Sequence, residues 1–590
     1  AIVKDESTST GAEKMLPPKN YREAMQRDDW EDWAHAKFKE LEGIIDDRGV
    51  LSKESYTLKR RMGITNTPMP ASMIFEDKTD GSGNTTKKKG RLVQNGTKHN
   101  MRRSFGSGHI FETYSAAPDI ASNRIMQALM ILLGWEPLAF DLVQAYLAAD
   151  IPDDERVPIR LQKGLQTYNE QGEEKFHLLE GNLYGSPTAC RRFVQMRDAW
   201  MLERFNIDGW ECKPMVAEQS MFRFTTPEGR VVIACIHSDD VDCICENIVD
   251  GTFIAEEFNK RFAPKEGSDG IKMVSPTYML GVQRTVTKDP DTGVTYIEMT
   301  QTACIDSLYE EYKTELPKKA CEEPVPKGCF LSTHWSDGEK REVDEAEVAK
   351  ILPAYRSIVG TLLWLARNCF PELSQGVHLL CRVMAQPNDE AYKAALHMVS
   401  YVHGQRERGI RFRSDGNIHP VACYDASHLG DYKDSKCIGG YCIMLAGGPI
   451  TWQSKKAQHV GTSSSADEYM CAFHAAKECK WVRDLLMELD LGEKMGHDYS
   501  MPIPLLGDND QATRWTNHGM ITAGNKTVRM NFHWVQEAIK DGIVETRRVA
   551  TEDKPSDVFT KSLGSDVLQR LLPGLTGYGE IPTIPDRPPN

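Results

Sequence analysis

The stretch that decides the fold is residues 230–245, with the sequence RVVIACIHSDDVDCIC. Six consecutive apolar residues, 231–236, predict a strand that is buried on both faces. The chain turns polar at His237 and apolar again after Asp240, which predicts a hairpin with Asp239 and Asp240 at its tip. Unpaired buried carboxylates are costly, so this arrangement requires a metal ion or a basic partner. The alternative is an exposed Ser-Asp-Asp turn, because Ser and Asp are ordinary turn residues.

Two further segments are informative when they are considered together with this hairpin. In FDLVQAYL, residues 140–147, Asp141 follows a short apolar run and is followed in turn by Tyr146. Residues 182–193 read NLYGSPTACRRF and include Tyr184 and Gly185. In residues, order and spacing, the three segments resemble the catalytic and template-binding motifs of copia-type reverse transcriptases. One departure lies in the second motif, where His237-Ser238 replaces the Tyr-Val that is usual before the paired Asp.

This resemblance implies roles for the residues of the polymerase site. Asp141 and Asp239 are expected to bind two Mg²⁺ ions, or Mn²⁺ in their place, with Asp240 supporting them. Tyr146 is expected to close the space beside the sugar 2′ position and so to exclude ribonucleotides, and it could also be a core aromatic. Lys89 and Arg91 lie in a segment similar to a strand of the polymerase fingers and are candidates to grip the triphosphate.

Composition limits the remaining possibilities. The chain has 590 residues, too many for one core, and a net charge of -14, which argues against indiscriminate nucleic-acid binding by the whole surface. Locally, residues 87–103 hold seven Lys or Arg and no acid, which suits a surface that faces phosphates, or equally a solvated hairpin. The 15 cysteines show no C-x-x-C spacing and are interpreted as reduced thiols. Apolar runs are all shorter than the roughly 20 residues of a membrane span, so no membrane partner is expected.

A second set of acids lies in the last large segment. Asp425 lies on an apolar strand, Glu468 lies in the first turn of a long helix, Asp508 ends a later strand, and Asp557 lies in a final helix. One such acid alone is an ordinary surface residue, whereas this ordered set resembles the ribonuclease H domain of the same family. The resemblance implies two more Mg²⁺ ions there and cleavage of the RNA strand of a hybrid.

One motif is rejected as a decoy. Asp291-Thr292-Gly293 matches the active-site triplet of aspartic proteases, but its flanking sequence, KDPDTGVTYIE, predicts a turn between two strands.

The expected fold class is α/β and α+β multidomain: a right-hand polymerase followed by an RNase H-like α/β domain with a mixed five-stranded sheet. The expected divisions are 1–16, a disordered tail; 17–250, fingers and palm; 251–350, palm end, thumb and linker; 351–415, connection helices; 416–565, the RNase H-like domain; and 566–590, a C-terminal tail.

The resulting hypothesis is an RNA-directed DNA polymerase with ribonuclease H activity, a segment of a retrotransposon polyprotein. Its expected partners are an RNA template, a DNA primer, the RNA–DNA hybrid, dNTPs and other Gag and Pol segments of the element. The expected location is the cytoplasm, within virus-like particles, with nuclear access as a further possibility. Two alternatives stay open: a degenerate or domesticated copy that binds nucleic acid without catalysis, and a metal-independent structural protein whose acids are surface turns.

Overall fold

The computed structural model describes residues 17–57, 66–79, 85–106, 111–329, 331, 335–336, 339–340, 343–428, 435–458, 460–461, 463–509, 529–550 and 554–579. The predicted disordered tail at 1–16 lies outside the described residues. The described chain is a mixture of helices and several separate sheets, as the predicted multidomain α/β and α+β class requires.

The chain divides into two compact units made of interleaved segments. The first unit comprises Ala1–Ala116, Leu142–Trp200 and Glu257–Lys272. The second comprises Ala117–Asp141, Met201–Glu256 and Met273–Asn590.

Helices occur in both units. The α-helices are Tyr21–Ala24, Trp30–Glu42, Lys98–Phe105, Ile120–Leu133, Ala189–Arg204, Ile248–Phe262, Thr302–Tyr312, Glu345–Asn368, Ser374–Arg382, Asp389–Gly404, Ser464–Leu489, Gly492–Met495, Arg529–Lys540 and Ser565–Thr576. Short 3₁₀ helices are Ala145–Ala148, Asp153–Glu155, Pro371–Leu373 and Pro555–Phe559, and Gly43–Asp47 is a π-helical turn. The last α-helix lies within the residues expected to form the C-terminal tail.

The first unit is built on a four-stranded sheet. Its strand order is Thr85–Gln94, Met69–Thr79, Pro158–Leu161 and His177–Leu178. The helix Trp30–Glu42 packs on this sheet, and its fully buried Trp33 makes an edge contact with Phe75 at 5.3 Å between ring centroids. A separate small pair joins Thr167–Tyr168 to Glu174–Lys175.

The second unit contains three larger sheets. The first has six strands in the order Ile271–Val274, Glu136–Leu142, Asp240–Cys245, Val231–His237, Met221–Thr225 and Glu211–Pro214, and from Glu136–Leu142 onward each neighbouring pair is antiparallel. The second has the order Tyr278–Met279, Val282–Lys288, Thr295–Thr300 and Ile410–Arg413. The third has the order Gly448–Lys456, Ile438–Leu445, Val421–Ser427, Ile503–Gly507 and Val544–Arg548. The remaining strands, Trp335–Ser336 and Glu339–Lys340, pair antiparallel with each other.

The third sheet confirms the prediction of a mixed five-stranded sheet. Its first three strands pair antiparallel, and the strands Val421–Ser427, Ile503–Gly507 and Val544–Arg548 pair parallel. The helix Ser464–Leu489 packs against this sheet and begins where the Ser463 hydroxyl accepts a hydrogen bond from the Ala466 N–H.

A buried arginine ties the helix Ile120–Leu133 to the C-terminal part of the second unit. The guanidinium of Arg124 donates to the carbonyls of Ile450 at 2.7 Å, Arg367 at 2.5 Å and Asn368 at 3.2 Å. It also lies 4.0 Å from the ring centroid of Trp452. Burial lowers the pKa of Arg124 to about 10. Carbonyl oxygens and an aromatic face therefore replace the water that a buried cation loses.

The predicted turn at Asp291 is confirmed. The triplet at Asp291 lies between the antiparallel strands Val282–Lys288 and Thr295–Thr300, where Gly293 adopts a φ of 74°. In the connection region, Pro387 lies between the helices Ser374–Arg382 and Asp389–Gly404.

By length and composition alone, one described helix could cross a membrane. Glu345–Asn368 has 24 residues and a mean hydropathy of 1.2 in its most apolar window. One side of this helix, including Tyr355, Ile358, Leu362 and Leu365, is buried in the core of the second unit, which accounts for its apolar composition.

Candidate active sites

The predicted acidic hairpin is present. Val231–His237 pairs antiparallel with Asp240–Cys245, and residues 231–236 are all buried. Ser238 and Asp239 form the two-residue loop, and Ser238 has a φ of 61°, a backbone conformation that is uncommon outside glycine. The confirmed hairpin places Asp239 at its tip.

Asp141 lies beside this hairpin. It is the penultimate residue of Glu136–Leu142, and the strand register pairs it directly with Asp240. Directly paired residues project to the same face of a sheet. The structure thus brings Asp141 and Asp240 side by side, and Asp239 immediately precedes Asp240 in the chain; all three are partly exposed.

A buried ion pair supports the same strand. Asp242 follows Asp240 by two residues, and its carboxylate accepts a hydrogen bond from Arg284 Nη2 at 2.7 Å. Asn123 Nδ2 donates to the same carboxylate at 2.9 Å, and Asn123 Oδ1 accepts from Arg284 at 2.9 Å. The side chains of Asp242 and Arg284 are only 4% and 3% exposed. The sequence analysis did not identify this triad, because its members are far apart in the chain and none has a distinctive motif.

The two basic candidates of the first unit lie on one strand. Lys89 and Arg91 are alternate residues of Thr85–Gln94 and therefore share a face of the sheet. Glu40 accepts a hydrogen bond from the Leu92 N–H at 3.0 Å. Burial raises the pKa of Glu40, opposed by that hydrogen bond and by the charges of Lys89 and Arg91. An acid of the helix behind the strand therefore partly balances the two cations.

The aromatic candidates lie together in the first unit. The Tyr146 ring makes edge contacts with Tyr184 at 6.1 Å and with Phe193 at 5.9 Å between centroids. The Arg91 guanidinium lies 5.9 Å from the centroid of the Tyr184 ring. Tyr146 thus packs among aromatic residues, which agrees with the alternative that it is a core aromatic. Its side chain is nevertheless partly exposed.

Gly185 fixes the position of the Leu-Tyr-Gly segment. Its φ is 80°, and an added Cβ would lie 2.2 Å from the Gln94 carbonyl oxygen. The neighbouring Tyr184 carbonyl accepts a hydrogen bond from the Gln94 N–H at 2.7 Å. Only glycine suits both the conformation and this close backbone approach.

Three of the predicted nuclease acids form a cluster. Asp425 lies on the central strand Val421–Ser427, Asp508 follows the parallel strand Ile503–Gly507, and Glu468 lies early in the helix packed on this sheet. One carboxylate oxygen from each lies within 4.8 Å of the others. Within the described ranges this is the only group of three such side chains that meets this spacing.

Asp557 and two lysines complete the cluster. The ammonium of Lys554 contacts Asp425 and lies 2.6 Å from Asp508 Oδ1, 3.8 Å from Asp557 Oδ1 and 4.0 Å from Glu468 Oε1. Lys561 lies 3.0 Å from Asp557 Oδ2 and 3.5 Å from Asp425 Oδ2. The four predicted acids therefore share one centre, with Lys554 between them.

The pKa values of the acids in the cluster are shifted in opposite directions. Burial, followed by the charge of Asp425, raises the pKa of Glu468 to about 8. Burial also raises the pKa of Asp557. For Asp425, burial acts to raise the pKa, but Lys554 and Lys561 outweigh it and the pKa is lowered. Such opposed shifts among neighbouring carboxyl groups are typical of functional sites.

The cluster fits a divalent metal ion. Glu468 Oε2 and Asp557 Oδ1 are buried acceptors that have no hydrogen-bond partner among the described residues. Carboxylate oxygens are the ligands that Mg²⁺ and Mn²⁺ prefer. Asp425, Glu468, Asp508 and Asp557 are therefore suitable ligands as a set.

Sequence reasoning missed Lys554. A lysine before a proline in a charged segment is typical of an exposed loop, and nothing in the local pattern indicates burial. The only available signal for its proximity to the acids was its position three residues before Asp557, because Lys554 is the residue that precedes the 3₁₀ helix containing Asp557.

The chain is similar over most of its length to proteins of plant retrotransposons. The chain is 25% identical over 500 residues to the retrovirus-related Pol polyprotein from transposon RE2 of Arabidopsis thaliana, and this match covers 84% of the chain. It is 24% identical over 511 residues to that from transposon TNT 1-94 of Nicotiana tabacum, and 26% identical over 507 residues to that from transposon RE1 of Arabidopsis thaliana. The chain is similar to these Pol polyproteins, which supports a retrotransposon Pol segment.

The match covers only part of each relative. The chain spans about a third of their length, 31% of the RE2 and RE1 proteins and 34% of the TNT 1-94 protein. A scan against protein-family models finds no match.

Proposed function

We propose that this Pol segment is an RNA-directed DNA polymerase with ribonuclease H activity. The observation that carries the proposal is the carboxylate cluster of Asp425, Glu468 and Asp508, built on a mixed five-stranded sheet and its packed helix. The pairing of Asp141 with Asp240 beside the acidic hairpin supports a second, separate site.

In the proposed nuclease site, the four acids hold two Mg²⁺ ions, for which Mn²⁺ could substitute. Bound ions of this kind lower the pKa of an attacking water and neutralise charge on the phosphate that is cut. Asp425 is the most buried of the three clustered acids and is further fixed by a hydrogen bond from the Thr560 hydroxyl. Its role is to hold a rigid ligand position at the centre of the sheet.

In the proposed polymerase site, Asp141, Asp239 and Asp240 provide the acidic ligands. Asp242, Arg284 and Asn123 hold the strand that carries Asp240. In the first unit, Lys89 and Arg91 bind the triphosphate, Tyr184 and Gly185 contact the template, and Tyr146 selects against a ribose 2′-hydroxyl.

The proposed substrates follow from these two activities. They are an RNA template, a DNA primer, dNTPs and the RNA–DNA hybrid, whose 2′-hydroxyls and shape would direct cleavage. Assembly with other Pol and Gag segments, in cytoplasmic virus-like particles and with subsequent access to the nucleus, is part of the same proposal.

Parallel assays of the full chain test the proposal. A DNA primer is extended on an RNA template with Mg²⁺ and dNTPs, and cleavage of the labelled RNA strand is followed in a second reaction. The variants are Asp239→Asn and Asp508→Asn, with the exposed Asp541→Asn as a control of the same chemistry.

Each catalytic variant should lose only its own reaction, and the control should keep both. A wild-type chain that binds hybrid but carries out neither reaction would overturn the proposal and indicate a non-catalytic binder.

A further inference from the structure

Lys554 lies where the acids of the nuclease cluster converge. Its side chain is 0% exposed, and its ammonium contacts Asp425, lies 2.6 Å from Asp508 and is within 4.0 Å of Glu468 and Asp557. The backbone positions it firmly, because Lys554 immediately precedes the 3₁₀ helix Pro555–Phe559, which contacts the central strands of the sheet. A lysine without solvent exposure requires such partners, since an unpaired buried ammonium is strongly unfavourable.

The ammonium uses the ligands that a metal ion would need. Asp425, Glu468 and Asp508 are the three acids whose carboxylate oxygens lie within 4.8 Å of one another, and Lys554 approaches all three. An ammonium and a divalent ion that share these oxygens repel each other at short range, and a buried site screens this repulsion poorly.

The formal charges lead to the same conclusion. When the acids bind metal they are all ionised and carry -4, and Lys554 with Lys561 carry +2, which leaves -2 at the centre. One divalent ion balances this charge, whereas two ions would leave +2 in a largely buried site. Two ions and the ammonium therefore do not fit together at these acids.

We propose that Lys554 is a resident cation of the nuclease cluster that competes with a divalent metal ion for Asp425, Glu468 and Asp508. Full loading of the cluster with metal requires the ammonium to withdraw. This inference rests on the proposed nuclease function and adds a control of metal affinity from within the chain.

Lys561 provides a matched comparison. It also contacts Asp425 and Asp557, but its side chain is 40% exposed and it approaches neither Glu468 nor Asp508. A lysine at the rim can turn towards water when an ion binds. Its removal should therefore affect metal affinity less than removal of Lys554.

The test measures Mn²⁺ binding to the full chain by titration calorimetry, with Asp239→Asn present in every protein so that the polymerase acids contribute equally. Lys554→Met keeps the length of the side chain and removes its charge. We expect Lys554→Met to bind Mn²⁺ at least about tenfold more tightly than the Lys554 protein. Lys561→Met should change the affinity less, and Asp508→Asn identifies the heat that belongs to this cluster.

Thermal unfolding supplies a second measurement. In EDTA, Lys554→Met should melt at a lower temperature than the Lys554 protein, because four acids then lack their central counter-ion. Mn²⁺ should raise its melting temperature by more than it raises that of the Lys554 protein. Lys554→Arg keeps the charge and should not bind Mn²⁺ more tightly.

The outcomes separate this inference from the proposed function. Equal Mn²⁺ affinity and equal melting in EDTA for Lys554→Met, in a chain whose wild type binds Mn²⁺ and cuts RNA, would overturn the inference alone. A wild type that neither binds Mn²⁺ at the cluster nor cuts RNA would overturn both. A Lys554→Met protein that stays unfolded in Mn²⁺ would also count against the inference, because the metal then does not replace the ammonium.

Discussion

Asp242→Ala should destabilise the strands that carry the polymerase acids, because it leaves the Arg284 guanidinium buried without its carboxylate. The two side chains are 4% and 3% exposed and lie 2.7 Å apart. After the change, the hydrogen bond to Asn123 Oδ1 at 2.9 Å and a long contact to the Pro276 carbonyl at 3.5 Å would remain.

The magnitude follows from this burial. Removing one partner of a buried pair costs about 3–5 kcal/mol, whereas replacing both partners by apolar residues is often near neutral. We therefore expect Asp242→Ala to lower the free energy of opening of these strands by about 3–5 kcal/mol. The double variant Asp242→Leu, Arg284→Met should lower it by at least about 2 kcal/mol less than Asp242→Ala does.

Hydrogen–deuterium exchange measures this effect locally. The amides of Val231–His237 and Asp240–Cys245 report the free energy of opening of these strands, which a global melt of a chain with two units would not isolate. Asp389→Ala is the control, because Asp389 forms an exposed pair with Lys393, and such pairs contribute at most about 1 kcal/mol.

Two results would refute the reasoning. Asp242→Ala could change exchange in these strands no more than Asp389→Ala does. Alternatively, the apolar double variant could lower the free energy of opening as much as Asp242→Ala does. That result would show that the uncompensated guanidinium is not the cause of the destabilisation.

Three further predictions concern pH, a turn and a junction. The pKa of Glu468 is raised to about 8 from its ordinary 4.5, so its stabilising contribution is complete below pH 4.5 and is lost as the pH rises through 8. Melts in EDTA should show this loss, and Glu468→Gln should reduce it. Gly185→Ala should lower the melting temperature more than Gly172→Ala, since both glycines have positive φ, of 80° and 76°, but only Gly185 faces a close backbone oxygen; equal losses would contradict the steric argument. Arg124→Met should lower the free energy of unfolding, measured in urea, by about 3 kcal/mol, because three carbonyls lose their hydrogen-bond donor. A decrease below about 1 kcal/mol would show that water replaces the guanidinium.

The sequence predicts the acidic hairpin and the nuclease sheet because their signals are local. An unbroken apolar run interrupted at Asp239 and Asp240 specifies two strands and a tight turn, and the register follows from the turn. Asp425 and Asp508 are assigned to one site by the resemblance of the ordered acids to a ribonuclease H domain, and their strands are parallel neighbours in the structure.

The remaining features depend on contacts between distant segments. Asp242 and Arg284 are 42 residues apart, and neither differs in local pattern from a surface residue. Lys554 is 129 residues from Asp425, and its burial results from the folding of a short 3₁₀ helix against the sheet. Charged residues are ordinarily assigned to the surface, so patterns of hydrophobicity do not reveal buried ion pairs.

Mapping of ion positions along the chain tests the central claim most directly. Fe²⁺ bound in place of Mg²⁺ reduces added hydrogen peroxide to hydroxyl radicals and hydroxide. The radicals cut the polypeptide beside the ion, and the fragments can be identified by mass spectrometry. The account predicts cuts near Asp141 and Asp239 and a second group near Asp425 and Asp508, with Asp508→Asn removing only the second group. Cleavage that is dispersed along the chain, or that is unchanged by Asp508→Asn, would contradict the existence of two separate carboxylate metal sites.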